Sequence, residues 1–227
     1  MANKNEQKES GGLVFEMENV ALNARRIRYE VLAGIFKEQK IDFSEVEFSR
    51  FCLGRPDDYL PALLERVGYT SASAETVAER LRGETLSRLM QKDCTMDPAL
   101  KSWLDEAAKR EMPIAAITTL PKEAADDISK RLGFDKWNVQ VVSSSEGKCF
   151  ATPAGWGRAA LAISRRPFHC AAIVTGSSWA RAALAAGYKG IAVPDDFTAF
   201  ENFAGMDYIV SSLKELKANE TLDKLGL

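Results

Sequence analysis

From residue 97 onward, short apolar runs alternate with helical patterns, and few chain arrangements satisfy that order. The segment "DPALKSWLDEAAKR" places Leu100, Trp103, Leu104, Ala107 and Ala108 on one helical face, opened by Asp97 and Pro98. A continuous apolar run, "PIAAIT" (113–118), follows. Then come a helical pattern at 122–132, "VQVV" (139–142), a helical pattern at 155–165, "AAIV" (171–174), a helical pattern at 178–186 with Gly187 as its end cap, and "GIAV" (190–193). "YIV" (208–210) and an amphipathic tail from Leu213 to Leu216 complete the series. Runs this short and this apolar are strands buried on both faces, and strands that alternate with helices pair in parallel. The expected fold class is therefore α/β, a doubly wound parallel sheet.

One further apolar run, "GLVF" (12–15), stands apart from this series. Between it and residue 96 the pattern is helical, at 22–40, 44–52, 56–67 and 74–92. Ile27, Val31 and Ile35 share a stripe with Leu32 and Phe36 in the first of these. The simplest organisation has three parts: a polar tail over 1–11, expected to be disordered; an α/β core made of 12–20 and 96–227; and an all-helical insertion over 21–95. Ligands of such sheets bind beyond the carboxyl ends of the strands. Glu16, Glu18, Thr118 and Thr175 fall at those ends.

Composition excludes several classes of function. Thirty basic and 32 acidic residues, for a net charge of −2, lie scattered along the chain, which offers no stripe for nucleic acid or an anionic membrane. No apolar run approaches the roughly 20 residues of a membrane helix, and "MANKNEQKESGG" lacks the apolar centre of a secretory signal. A soluble, cytoplasmic protein is expected. The four cysteines, Cys52, Cys94, Cys149 and Cys170, are far apart and contain no CxxC pair, so they read as thiols. His169, the only histidine, rules out a multi-histidine metal site and carries no triad signature. "TGSSWA" lacks the GxSxG spacing, and Ser177 and Ser178 read as loop and helix-cap residues.

The phrases "MDPALKSWLDEAAKREMPIAAITT", "ISKRLGF", "SSEGKCFATP", "AALAAGYKGIAVPDDF" and "MDYIVSSLKEL" occur in an order that resembles the haloacid dehalogenase (HAD) hydrolase superfamily, over residues 12–216. The likeness is to its phosphoglycolate phosphatase and β-phosphoglucomutase-like branch, with a helical cap after the first strand. The resemblance implies a phosphate site built from four groups. An Asp ending the first strand attacks the phosphoryl group, and an Asp two residues later serves as acid and base. A Ser or Thr and a downstream Lys hold the phosphate, and acids after the fourth core strand help bind Mg²⁺. Carried onto this chain, the phosphate-holding positions fall on Thr118 and Lys148, which match. The nucleophile position falls on Glu16, the acid/base position on Glu18 and the usual following glycine on Asn19. The metal-binding acids fall at Val174, Thr175 and Gly176, where there is no carboxylate; Asp195 and Asp196 lie one strand further on.

An added methylene moves a carboxylate by about an ångström, a displacement that can cost on the order of 10²-fold in rate. Mg²⁺ prefers octahedral oxygen coordination anchored by carboxylates, and Glu16 alone remains of the acidic set. Two readings follow: a catalytically impaired or silent phosphatase-fold protein kept for binding a ligand or protein, needing no cofactor, or an active Mg²⁺-dependent phosphatase or phosphomutase-like enzyme with a rebuilt site. The partners implied are phosphate, a small phosphorylated metabolite or another protein. Thr118, Lys148 and the amides of Met17 and Glu18 are candidate anion donors, with a Lys148 pair to Glu16 or Glu18 as the alternative. In the helical insertion, Arg55 of "LGRPDDYL" is the candidate substrate contact, with Asp57 and Asp58 expected to cap the next helix.

Overall fold

The computed structural model describes residues 11–91, 94–143 and 151–227. Strand β1 (Gly12–Glu16) runs up the centre of a parallel sheet whose other members are β2 (Ile114–Thr118), β3 (Gln140–Ser143), β4 (Cys170–Val174), β5 (Lys189–Ala192) and β6 (Tyr208–Ile209). Their order is β3-β2-β1-β4-β5-β6, every neighbouring pair parallel. All five residues in each of β1, β2 and β4 are buried, which is why these strands read as unbroken apolar runs rather than alternating ones.

Alternate side chains of β1 feed separate cores. Leu13 and Phe15 join Trp103 and Leu104 of α5 (Pro98–Lys109) and Ile128 of α6 (Lys122–Leu132) on one face. Val14 joins Trp156 and Ala160 of α7 (Pro153–Ala162) and Ala180 and Ala183 of α8 (Ser177–Ala186) on the other. The alanines let α8 lie close to the sheet, and it ends where expected: Gly187, at φ 96°, takes a left-handed turn that a Cβ would strain.

Between β1 and α5 the chain forms a π-helical turn (Met17–Ala21) and then α1 (Ala24–Lys37), α2 (Glu45–Phe51), α3 (Pro56–Val67) and α4 (Ala74–Leu89). These helices enclose an aromatic and aliphatic core of their own around Leu32, Phe36, Phe48 and Leu64.

Three expectations need correction. The tail after β6 is not the last element: a 3₁₀ turn (Leu213–Glu215) leads to a further helix, α9 (Ala218–Lys224), which brings Leu222 and Leu225 into the α5 face of the core. Helix α8 begins at Ser177 itself, with Gly176 at its cap, and the Glu201 carboxylate accepts the Ser177 N–H at 2.6 Å, so neither Ser177 nor Ser178 caps the helix. Asp57 and Asp58 lie in the first turn of α3, where their charge suits the helix dipole, but neither caps it; Arg55 is the capping residue and its side chain makes no cap hydrogen bond. Of the polar tail, residues 1–10 lie outside the described residues, and Gly11 is buried.

Candidate active site

The strand register brings four of the sequence candidates together. Phe15 lies beside Ile173 and Glu16 beside Ile117, so the carboxyl ends of β1, β2 and β4 meet at one level. Glu16, Glu18, Thr118 and Thr175 are all buried there, with exposures of 2%, 6%, 0% and 2%.

Glu16 turns its carboxylate towards β4. Its Oε1 accepts the Thr175 backbone N–H at 3.0 Å, its Oε2 accepts the Thr175 hydroxyl at 2.7 Å, and Asn19 Nδ2 approaches Oε2 at 3.4 Å. Burial pushes the Glu16 carboxyl above its ordinary value. The Arg25 charge and the hydrogen bonds from Thr175 and Asn19 oppose that shift without cancelling it. An attacking oxygen needs an open line to its substrate, and this group faces inward on both oxygens.

Glu18, inside the π-helical turn, reaches β2 instead. Its Oε1 accepts both the backbone N–H and the hydroxyl of Thr119, each at 2.7 Å, while its buried Oε2 has no hydrogen-bond partner among the described residues. The donors gathered at the end of β2 are thus already bonded to an anion of the chain itself. Thr118, the position matched by sequence, spends its Oγ1 as an acceptor for the Leu120 N–H at 3.1 Å. Lys148 lies outside the described residues.

Arg25, in the first turn of α1, was not singled out by the sequence. Its guanidinium donates from Nη2 to Thr175 Oγ1 at 3.2 Å and pairs through Nη1 with Asp195, in the loop after β5. Asn19 also receives the Arg25 backbone N–H at 3.1 Å, which ties the start of α1 to the π-helical turn. Asp195 therefore serves the site indirectly, by neutralising the cation beside Thr175. Arg55 is not drawn in: it pairs with Asp57 at 3.7 Å in the helical segment, half exposed, and no hydrogen bond or ion pair among the described residues links it to Glu16, Glu18, Thr118 or Thr175.

These residues do not fit a Mg²⁺ ion. Glu16 is hydrogen-bonded at both oxygens, Thr175 brings a hydroxyl where a carboxylate is needed, and a guanidinium already supplies positive charge beside them. Among the described residues, no group of three or more His, Cys, Asp or Glu side chains converges as a metal site would require. A cleft of about 470 Å³ opens nearby, bordered by Asn19, Thr175, Asp195 and Ser212, but Glu16, Glu18 and Thr118 do not line it.

Solved structures show the same architecture. CbbY from Rhodobacter sphaeroides in complex with phosphate superposes with a TM-score of 0.74 over 94% of this chain and 99% of its own, at 17% identity. A HAD family hydrolase from Deinococcus radiodurans R1 with bound phosphate and sodium matches with a TM-score of 0.74 over 95% of this chain and 97% of its own, at 18% identity. The chain has the HAD hydrolase fold. β-Phosphoglucomutase from Clostridium difficile shares this HAD fold with a TM-score of 0.69, covering 96% of this chain and 97% of its own at 17% identity. The resemblance seen in the sequence thus holds at the level of the HAD fold. No protein-family model matches the sequence, and neither does any curated protein. No helix of the described residues is long and apolar enough to cross a membrane.

Proposed function

We propose that this HAD-fold chain is a catalytically silent member of the phosphatase and phosphomutase architecture, retained to bind a small phosphorylated metabolite or a protein partner. The observation that carries this reading is the inward commitment of Glu16, which accepts the N–H and the hydroxyl of Thr175 next to the Arg25 guanidinium. Phosphoryl transfer depends on a positioned nucleophile and on cations that neutralise the phosphate. Here the would-be nucleophile is buried, and the nearby cation is held by Asp195.

In this reading residues 12–20 and 96–227 act as the core and residues 21–95 as its cap. Glu18 stands where a phosphate oxygen would meet the Thr119 donors, so any phosphorylated ligand has to bind elsewhere or displace that carboxylate. The bound phosphate of the CbbY and Deinococcus structures motivates testing that ligand class. A cytoplasmic location belongs to the same proposal and agrees with the free thiols at Cys52 and Cys94.

The test is a phosphatase panel with Mg²⁺, using an aryl phosphate and several sugar phosphates. No turnover above background is expected, and none that depends on Glu16. Turnover in the parent protein that disappears in Glu16→Gln would overturn the proposal and restore the Mg²⁺-dependent enzyme.

A further inference from the structure

The loop after β5 does more than neutralise Arg25. Its residues Asp195 to Thr198 belong by chain position to the sheet, yet Phe197 is 1% exposed and packs into the core formed by the helices α1–α4. Its ring lies 5.0 Å from that of Phe48 and 5.5 Å from that of Tyr29, centroid to centroid. On the same side Arg26 of α1 sits over the Phe197 ring at 4.5 Å and donates to Asp196 at 3.0 Å, while the neighbouring Arg25 pairs with Asp195. The loop is itself braced: Asp195 Oδ1 accepts the Phe197 N–H at 3.0 Å and the Thr198 hydroxyl at 3.1 Å. A rigid turn therefore drives one aromatic side chain into a neighbouring core and pins it there with two charge pairs.

The connections between the helices and the sheet are tied as well. Arg131 of α6 donates to the carbonyl oxygens of Leu89 at 2.5 Å and Gln91 at 2.7 Å, and also to that of Cys94, at the exit from α4. The Asp97 N–H bonds the Ala21 carbonyl at 3.0 Å, joining the entry segment to the exit segment. Two connecting strands of backbone can hinge freely only when such cross-links are absent.

We infer that the Asp195–Thr198 loop is a latch, with Phe197 as its bolt, that holds the helices α1–α4 against the sheet in one fixed position. Opening the helices as a body requires drawing Phe197 out of an apolar core and separating two arginine–aspartate pairs, so a single closed arrangement dominates. The inference stands apart from the silent reading, since a fixed arrangement can lie over an active or an inactive site.

Pulsed electron–electron distance measurements test it. Spin labels are placed at Val46→Cys on α2 and Leu161→Cys on α7, both exposed, with Cys94→Ser and Cys149→Ser in the background. The parent latch is expected to give one narrow distance population, and Phe197→Ala to add a second, longer one. Two populations with the latch intact, or an unchanged single population in Phe197→Ala, would overturn the inference. Should Phe197→Ala fail to fold, Phe197→Leu combined with Arg26→Gln is subject to the same two outcomes. The phosphatase panel reads the silent proposal separately, so either idea can fail while the other stands.

Discussion

Replacing Arg25 with methionine keeps much of its stem and removes its charge, which isolates what the guanidinium contributes. The Arg25 side chain is 9% exposed and its partner Asp195 21%. Removing one partner of a fully buried pair costs about 3–5 kcal/mol, whereas an exposed pair is worth under about 1 kcal/mol. Asp195 keeps its bonds from the Phe197 N–H and the Thr198 hydroxyl and partly meets water, which places this pair between those limits. Thr175 Oγ1 also loses a donor, and Glu16 loses the positive charge that opposes its burial. The expected loss is about 2–3 kcal/mol, and since about 1 kcal/mol shifts a chain of this size by roughly 2–4 °C, Tm should fall by roughly 4–12 °C. Urea denaturation and calorimetry measure both quantities. Asp195→Asn closes a double-mutant cycle, in which a coupling of about 1–2 kcal/mol is expected. A loss below about 0.5 kcal/mol, the size of an ordinary surface substitution, would refute the idea that Arg25 is an integral internal cation.

The raised Glu16 carboxyl gives stability a signed pH dependence. Between its ordinary value of 4.5 and the higher folded value, the folded chain binds more proton than the unfolded one, so this group's contribution is fully present below about pH 4.5 and is lost as pH rises through the folded value. Urea melts at pH 4.5 and pH 7 should therefore show Glu16→Gln gaining on the parent as pH rises; parallel curves would contradict the assignment. Glu18→Ala removes two 2.7 Å bonds from Thr119, an exposed residue that water can partly satisfy, and should cost about 1–2 kcal/mol in the same assay. A change within experimental error would show that Glu18 does not order the end of β2.

Much of the architecture was legible because of how deeply the strands lie. β1, β2 and β4 are buried on both faces, so "GLVF", "PIAAI" and "AAIV" had to be apolar up to the strand ends, and the sequence places their centres correctly. Helix α9 was missed for the opposite reason: in "ANETLDK" Leu222 is the only large apolar residue, so the helix gets its packing from α5 and shows no stripe of its own. Thr118, Thr175, Glu16 and Glu18 were visible as strand-end residues. Arg25 was not, because a charged residue in a helix's first turn reads as solvated, and its partner Asp195 lies 170 positions away. Thr119 was overlooked because the family pattern falls one residue earlier, on Thr118. The aromatic of the latch, Phe197, was not singled out either, since nothing local reveals that a loop's side chain is buried in another segment's core.

Glu16, Thr175, Arg25 and Asp195 form one interdependent set. A carboxylate lengthened by one methylene reaches about an ångström further, and at Glu16 that reach ends on the N–H and hydroxyl of Thr175. A buried carboxylate needs a nearby positive charge, and once the β4 loop presents a threonine instead of an acid, a guanidinium can approach it without a competing anion. Arg25 fills that role, and Asp195 in turn prevents the arginine from being an unpaired buried charge. Each contact makes the next tolerable. Shortening Glu16 alone would pull its carboxylate back from the Thr175 donors, and adding an acid at Thr175 alone would meet Arg25, so neither single change by itself makes a metal site. Glu16 is thus an acceptor within a network that joins β1, β4, α1 and the loop after β5, and a change at any one of Glu16, Thr175, Arg25 or Asp195 is felt by the others.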